Sequence, residues 1–147
     1  MMRRRAVIAD VDGTLCDVRS IRHHVAVRPK NFDRFHAESA HCPPNQQALD
    51  FVQRHHDAGR VVIVVTARMQ KWEPVTSEWL RRFMPVPFVG PFHRQDGDGR
   101  PDVQVKREIH RYLARSFDIR AACDDNPAII ALWHELGIPT EIVPGWE

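Results

Sequence analysis

Three short apolar runs alternate with amphipathic stretches along the chain. The runs cover residues 6–9, 61–65 and 119–123, they contain β-branched side chains, and each one stops at polar residues. Short runs of this kind, separated by helical stretches, are typical of strands in a parallel sheet that is covered on both faces. Weaker runs at residues 86–89 and 140–143 predict two further strands.

Between these runs, apolar residues recur at the spacing of a helix. The first such stretch, residues 45–58, places its apolar side chains on one stripe and stops at Gly59. Further stretches of helical period cover residues 71–84, 101–117 and 126–136. Because each stretch has one apolar face, we expect four amphipathic helices that cover the sheet.

Strands that alternate with helices predict an α/β fold, here a three-layer Rossmann-like parallel sheet. The segment at about 16–44 has no clean period, apart from a short helix predicted over residues 31–40. We interpret this segment as a short cap-like insertion after the first strand, which leaves any cap small or absent. Residues 1–147 are expected to form a single domain.

Composition narrows the function classes. The chain is 43% hydrophobic and 27% charged, in the ordinary globular range, which argues against a disordered or fibrous protein. The net charge of +2 is too small for a protein that coats polyanions, so any contact with nucleic acid must be local. Of the 21 basic residues only three are lysines. An excess of arginine suits phosphate recognition, but the codon use of a GC-rich genome also produces it. Of these two explanations we favour codon use.

The cysteines and the apolar runs bear on the compartment. Cys16, Cys42 and Cys123 cannot all pair with one another, and no C-x-x-C spacing suggests a structural zinc site. The longest aliphatic run, residues 61–65, is too short to span a membrane, and Asp10 interrupts the first run before a signal-peptide core forms. We therefore expect a cytoplasmic protein.

Acidic, hydroxyl and amine side chains cluster at the predicted strand ends. Because the carboxyl ends of parallel strands meet at one edge of a sheet, the following residues are expected to converge: Asp10 and Asp12, Thr66, Asp124 and Asp125, and Lys106 from the helix before the third run. Four converging carboxylates repel one another strongly, so a divalent cation is expected, and oxygen ligands indicate Mg²⁺. The set suits phosphoryl transfer.

These residues also carry a resemblance to a known family. The segment Asp10-Val11-Asp12-Gly13-Thr14-Leu15 resembles the first motif of the haloacid dehalogenase (HAD) superfamily of aspartate-nucleophile phosphatases. The other motifs follow in the order of that superfamily: Thr66, Lys106 and Asp124-Asp125.

The resemblance implies a role for each of these side chains. Asp10 would be the nucleophile that forms an aspartyl-phosphate, and Asp12 would be the general acid and base. Thr66 and Lys106 would bind the phosphoryl group. The implied ligands of Mg²⁺ are Asp10, the backbone carbonyl of Asp12, and Asp124 or Asp125.

A finer resemblance extends to residues beyond these four motifs. The pattern Thr66-Ala67-Arg68, Arg94-x-x-Gly97-Asp98-x-Arg100-x-Asp102-x-x-x-Lys106 and Asp124-Asp125-x-Pro127 is similar to the 3′-phosphatase domain of phage polynucleotide kinases and its bacterial relatives. It implies that Arg68 grips a phosphate oxygen and that Asp102 orients Lys106 from one turn away. Arg94 and Arg100 would contact the backbone of the substrate.

The resemblance predicts a polynucleotide 3′-phosphatase that acts on a DNA or RNA end. No glycine in the chain precedes a lysine, so the kinase loop G-x-x-x-x-G-K-[ST] is absent, and a separate kinase or ligase is a candidate partner. One alternative to the 3′-phosphatase is a phosphatase of nucleotides or small metabolites, and another is a non-catalytic module that binds phosphate or nucleic acid.

The chain contains four tryptophans: Trp72, Trp79, Trp133 and Trp146. They are expected to pack in the core or at its edges, with base stacking as the alternative for one of them.

Overall fold

The computed structural model describes residues 2–145, so Trp146 lies outside the described part. Five strands form the sheet in these residues: β1 (Arg4–Ala9), β2 (Val61–Met69), β3 (Val89–Arg94), β4 (Phe117–Asp124) and β5 (Thr140–Ile142). All neighbouring pairs are parallel, in the order β3-β2-β1-β4-β5. The predicted α/β sheet is confirmed.

Helices cover both faces of the sheet. The helices are α1 (His23–Ala26), α2 (Phe32–Ser39), α3 (Gln46–Asp57), α4 (Glu73–Phe83), α5 (Asp102–Leu113) and α6 (Pro127–Glu135). Side chains alternate along β1, so Val7 packs with α3 and α4, whereas Ile8 packs with α5 and α6. Trp79 on one face and Trp133 on the other are fully buried. The core therefore consists of two apolar layers separated by the sheet.

The strand predicted over residues 61–65 continues to Met69, so Thr66 lies inside β2, and two further predicted boundaries are wrong. The strand predicted over residues 86–89 lies at Val89–Arg94, an edge strand that is only partly buried and contains Gly90 and Pro91. The helix predicted over residues 101–117 ends at Leu113, because Phe117 already pairs with Arg4 in the sheet. In both places the pairing of strands outweighs the local apolar pattern.

The insertion is closed by a short neck and packs against the sheet. Cys16 forms isolated β-bridges to Asp12 and Pro44, so the two ends of the segment meet directly after β1. Val18, Ile21 and Phe35 are buried in the apolar layer that contains α3 and α4. The helix predicted over residues 31–40 is present as α2. The insertion therefore stands beside the carboxyl end of β1.

No helix within residues 2–145 combines the length and the apolar character that are needed to cross a bilayer.

Candidate active site

A cleft of about 800 Å³ opens at the carboxyl ends of the strands, where the chain leaves β1 in one direction and β4 in the other. Most of the site residues predicted from the sequence line it: Asp10, Asp12, Thr66, Arg68, Arg94, Arg100, Asp102, Lys106 and Asp125. Asp124 lies at the end of β4 and is fully buried. The structure thus brings the predicted residues together at one end of the sheet.

The loop after β1 depends on Gly13. Its φ is +81°, and a Cβ atom at this position would lie 2.0 Å from Oδ2 of Asp125. The hydroxyl of the next residue, Thr14, is 3.2 Å from Asp10 Oδ2 and 3.1 Å from Asp125 Oδ1. The loop therefore brings the carboxylates from β1 and β4 side by side, which no side chain at position 13 would permit.

Lys106 is held between two of the carboxylates. Its ammonium donates to Asp10 at 2.8 Å and to Asp124 at 3.0 Å. Burial alone would lower the pKa of Lys106, but the charges of Asp10 and Asp124 outweigh it and raise that pKa, so the ammonium stays charged. The other oxygen of Asp124 accepts from the backbone N–H groups of Asp125 and Asn126, at 2.9 and 3.0 Å. Asp124 is thus fixed by both backbone and side-chain donors.

The carboxylates at this point outnumber the cations around them. Oxygen atoms of Asp10, Asp124 and Asp125, all buried, lie within 4.8 Å of one another. Burial and the charge of Asp124 raise the pKa of Asp10 well above its usual range, and they also raise the pKa of Asp125. Arg22 approaches Asp125 Oδ2 only to 3.8 Å. Such a cluster of buried carboxylates could hold a divalent metal ion, which would offset the repulsion.

Asp12 points away from this cluster and pairs with Arg68. The guanidinium donates to both carboxylate oxygens, at 2.9 and 2.5 Å, and further bonds tie it to Ser39 in α2 and Thr76 in α4. Burial alone would raise the pKa of Asp12, but the Arg68 charge lowers it below its usual range. The fork expected to grip a phosphate oxygen is therefore engaged by Asp12 here, and Arg68 links this acid to the insertion.

The remaining predicted residues come from β2, from β3 and the loop after it, and from the start of α5. Thr66 is buried, and its hydroxyl accepts from the backbone N–H of Arg68 at 3.2 Å. The expected contact between Asp102 and Lys106 is wrong, because Asp102 accepts from Arg94 at 2.5 Å instead. Arg94 also donates to the carbonyls of Ala67, Asp98 and Arg100.

Arg100 lies in the loop after β3 and lines the outer part of the cleft. It pairs with Asp98 and Glu108, and about half of its side chain is exposed. Its contact with a substrate backbone stays a prediction, as does that of Arg94, which is nearly buried behind the loop of residues 95–101.

Sequence reasoning missed several side chains of the site. Arg22, Ser39 and His36 come from the aperiodic insertion, where no spacing marks a residue as functional. His36 Nδ1 lies 4.0 Å from Asp12 Oδ2, and Arg22 also donates to the carbonyl of Gly145. Thr14 was part of the first motif, but its polar contacts to two carboxylates required the three-dimensional loop.

Known proteins share this architecture. The model of the family described as "Polynucleotide kinase PNKP phosphatase domain" matches residues 4–144. The "Putative bifunctional polynucleotide kinase/RNA ligase" of Autographa californica nuclear polyhedrosis virus is 23% identical over 137 residues, which cover 92% of this chain and 19% of the viral protein.

Two solved structures show the same fold. A chain of the Pnkp1/Rnl/Hen1 complex superposes with a TM-score of 0.80 at 21% identity, over 97% of this chain and 46% of that one. The class C acid phosphatase from Bacillus anthracis gives a TM-score of 0.74 at 15% identity, over 98% of this chain and 67% of that one.

The chain thus spans about a fifth of the viral relative and less than half of the Pnkp1/Rnl/Hen1 chain. The match to the family model, in contrast, extends over nearly the whole chain. The chain belongs to the HAD-type family of polynucleotide kinase PNKP phosphatase domains.

Proposed function

We propose that this protein is a Mg²⁺-dependent polynucleotide 3′-phosphatase that works through an aspartyl-phosphate on Asp10. The observation that carries the proposal is the buried cluster of Asp10, Lys106, Asp124 and Asp125 at the floor of an open cleft. It occurs in a chain that matches the polynucleotide kinase phosphatase family over residues 4–144.

Phosphoryl transfer would take place in two steps. In the first, a carboxylate oxygen of Asp10 attacks phosphorus, the bond from phosphorus to the 3′ oxygen breaks, and Asp12 gives its proton to that oxygen. In the second, water attacks the phosphorus of the aspartyl-phosphate and passes a proton to Asp12, and the bond from phosphorus to the Asp10 oxygen breaks. Inorganic phosphate leaves, the Asp10 carboxylate is restored, and Asp12 carries its proton again. Lys106 and Thr66 would hold the non-bridging oxygens of the phosphoryl group.

The pairing of Asp12 with Arg68 suits the second step, which needs an ionised base. The first step needs a proton on Asp12. A phosphate dianion bound beside it would raise the pKa of Asp12 by charge repulsion and would compete for the guanidinium. The low pKa of Asp12 is therefore a property of the resting enzyme, and substrate would shift it in the direction that proton donation requires.

The floor also fits the proposed metal ion. The donor set consists of carboxylates, which Mg²⁺ prefers, and these carboxylates are short of positive charge. Asp10 and Asp125, together with the backbone carbonyl of Asp12, would hold the ion, while Asp124 would hold Lys106 and the start of α6. When bound, Mg²⁺ would neutralise negative charge on the phosphoryl oxygens.

The substrate is argued from the relatives and from the shape of the site. The family and the viral relative are named for polynucleotide kinases, and the cleft at one end of the sheet has room for more than a phosphate group. The names of the viral relative and of the Pnkp1/Rnl/Hen1 complex support a kinase or a ligase as the partner that handles the same ends. We expect this chain to remove a 3′-phosphate and leave a 3′-hydroxyl.

The test is phosphate release from matched substrates. A 3′-phosphorylated oligonucleotide, as DNA and as RNA, is compared with the 5′-phosphorylated form, a 3′-mononucleotide and glycerol phosphate, with Asp10→Asn as the background control. We expect the highest kcat/KM for a 3′-phosphorylated oligonucleotide and background release for the 5′ form. Equal or faster turnover of the small phosphates would instead establish a metabolite phosphatase, and oligonucleotide binding without turnover of any substrate would establish a binding module.

A further inference from the structure

Aromatic rings form a row along the wall of the cleft that the insertion provides. We call Phe32, His36 and Trp72 the aromatic ledge. The Phe32 and His36 rings stack with centroids 6.2 Å apart, and the His36 and Trp72 rings are 5.4 Å apart. All three side chains line the cleft. The ledge combines residues from α2 with the residue that precedes α4, so two elements hold it.

Phe32 stands out because it is exposed. Of its surface, 52% is accessible, whereas Phe35, one turn along, is buried in the core. Single exposed apolar side chains are common on protein surfaces, but this phenylalanine lines the cleft and continues a row of rings there. The outer end of the ledge therefore presents apolar ring surface to whatever enters the cleft.

The middle ring of the ledge, that of His36, lies beside the proposed chemistry. Nδ1 of His36 is 4.0 Å from Oδ2 of Asp12, and this nitrogen has no hydrogen-bond partner among the described residues. The ledge thus extends outward from the acid proposed to protonate the leaving oxygen. The nucleoside attached to that oxygen would therefore lie along the rings of the ledge.

Positive charge accompanies the rings. Lys30 Nζ lies 6.0 Å from the centre of the Phe32 ring, and Lys71 Nζ lies 5.8 Å from that of Trp72. Lys71 is also 3.5 Å from Asp33, an exposed carboxylate. Together with Lys106 on the floor, these two residues are the only lysines of the chain, and all three line the cleft. Rings flanked by amines suit a ligand that has flat apolar groups joined by anions.

We propose that the aromatic ledge stacks the terminal base of the nucleic-acid end whose 3′-phosphate lies on the floor. Lys30 and Lys71 would then face the phosphodiesters that precede this nucleotide. The inference rests on the proposed function and adds a determinant of specificity, because it makes the base itself, and not only the sugar and phosphate, part of what the enzyme recognises. Stacking has no sequence preference, since every base has a flat face.

The experiment compares two 3′-phosphorylated oligonucleotides of equal length, one ending in an ordinary nucleotide and the other in an abasic residue. For the unmodified enzyme we expect kcat/KM to favour the base by roughly 5- to 100-fold, as the loss of one stacked base predicts. Phe32→Ala should remove most of this preference, and Phe32→Trp should keep it. Tyr112→Ala is the matched control, since Tyr112 is an aromatic residue with 61% exposure that does not line the cleft.

Two outcomes would overturn the ledge while leaving the proposed function standing. One is equal turnover of the base-bearing and abasic oligonucleotides by the unmodified enzyme. The other is an equal loss on both oligonucleotides in Phe32→Ala, with its melting temperature unchanged. Turnover of glycerol phosphate without turnover of either oligonucleotide would overturn the proposed function, and the ledge with it.

Discussion

The floor of the cleft and its rim are held in place by different means. Floor residues stand at the ends of β1, β2 and β4 or on α5, are mostly buried, and bond to one another. The rim comes from the insertion and from the loop of residues 95–101, and its side chains are largely exposed or bonded to their neighbours. The difference separates a part that acts on any phosphate ester from a part that selects the ester.

The two sides of the rim also differ. Near β3, Arg94 already pairs with Asp102, and Arg100 pairs with Asp98 and Glu108. Carboxylates of the protein itself therefore largely neutralise the charge of both arginines. The other side, formed by the insertion and by residues 71–72 before α4, carries rings and lysines. Within residues 2–145, only one of these two lysines, Lys71, lies beside a carboxylate. Mutations at the floor should affect all substrates alike, whereas mutations at the rim should distinguish them.

The largest effect is expected for Asp10→Asn. The amide is nearly isosteric but cannot attack phosphorus, so release should fall to background for oligonucleotide and glycerol phosphate alike. Because the substitution removes a charge that Asp124 repels, and the amide oxygen can still accept from Lys106, the melting temperature should stay within about 3 °C, as a scan will show. Substantial turnover by this variant would exclude Asp10 as the nucleophile.

Asp12→Asn should have the next largest effect. Loss of proton transfer predicts a decrease in kcat of roughly 10²- to 10⁴-fold on both substrates. Steady-state kinetics with each substrate will measure it, with circular dichroism to check folding, since Arg68 loses its charged partner. A decrease below tenfold would mean that another group transfers the proton.

The two aspartates after β4 should differ in what they affect. Asp125→Ala should raise the Mg²⁺ concentration for half-maximal activity by roughly tenfold or more, because a ligand is lost. Asp124→Ala should instead lower the free energy of unfolding by about 2–4 kcal/mol, since Lys106 and two backbone N–H groups lose their acceptor. Metal titration and urea unfolding of both variants will check this.

Activity that persists in the unmodified enzyme after thorough chelation would contradict a metal ion on the floor. If Asp124→Ala and Asp125→Ala raised the metal requirement equally, that result would contradict the proposal that Asp124 holds Lys106 instead of the metal ion.

The smallest effect is expected at the rim near β3. Arg100→Ala should lower oligonucleotide turnover about two- to fivefold at low salt and spare glycerol phosphate, because only the polymer has further phosphates to contact. Arg107→Ala is the matched control, a partly exposed arginine of α5 that pairs with Glu135 and does not line the cleft. Measurement of kcat/KM for both variants on both substrates, at low and high salt, will check this. Equal losses on the two substrates would remove Arg100 from substrate binding.

The sequence predicted the floor better than the rim for a physical reason. Buried strands and their polar ends have a short, regular pattern, so Asp10, Thr66 and Asp124 could be placed at one edge of a sheet before any coordinates. The contributions of Arg22 and His36 depend on how an aperiodic insertion folds back over the cleft. No local spacing encodes that path.

The same limit applies to the boundaries of elements. Residues 114–117 continue the apolar period of α5, yet Phe117 belongs to β4, because pairing with β1 decides its conformation. The placement of β3 shows the same effect, since Gly90 and Pro91 in its interior are atypical of a strand. Local pattern predicted the five strands and most of the helices, but not α1, and long-range pairing decided where several elements begin or end.

The placement of the three lysines has a practical consequence for experiments on this protein. Lys30 and Lys71 are exposed at the cleft, whereas Lys106 is buried, and arginine does not react with succinimidyl esters under ordinary labelling conditions. Apart from the α-amino group, amine coupling to a sensor chip, or amine-directed dyes and crosslinkers, would therefore attach the protein through side chains at the mouth of the cleft. Immobilisation through another group would keep that mouth open for binding measurements.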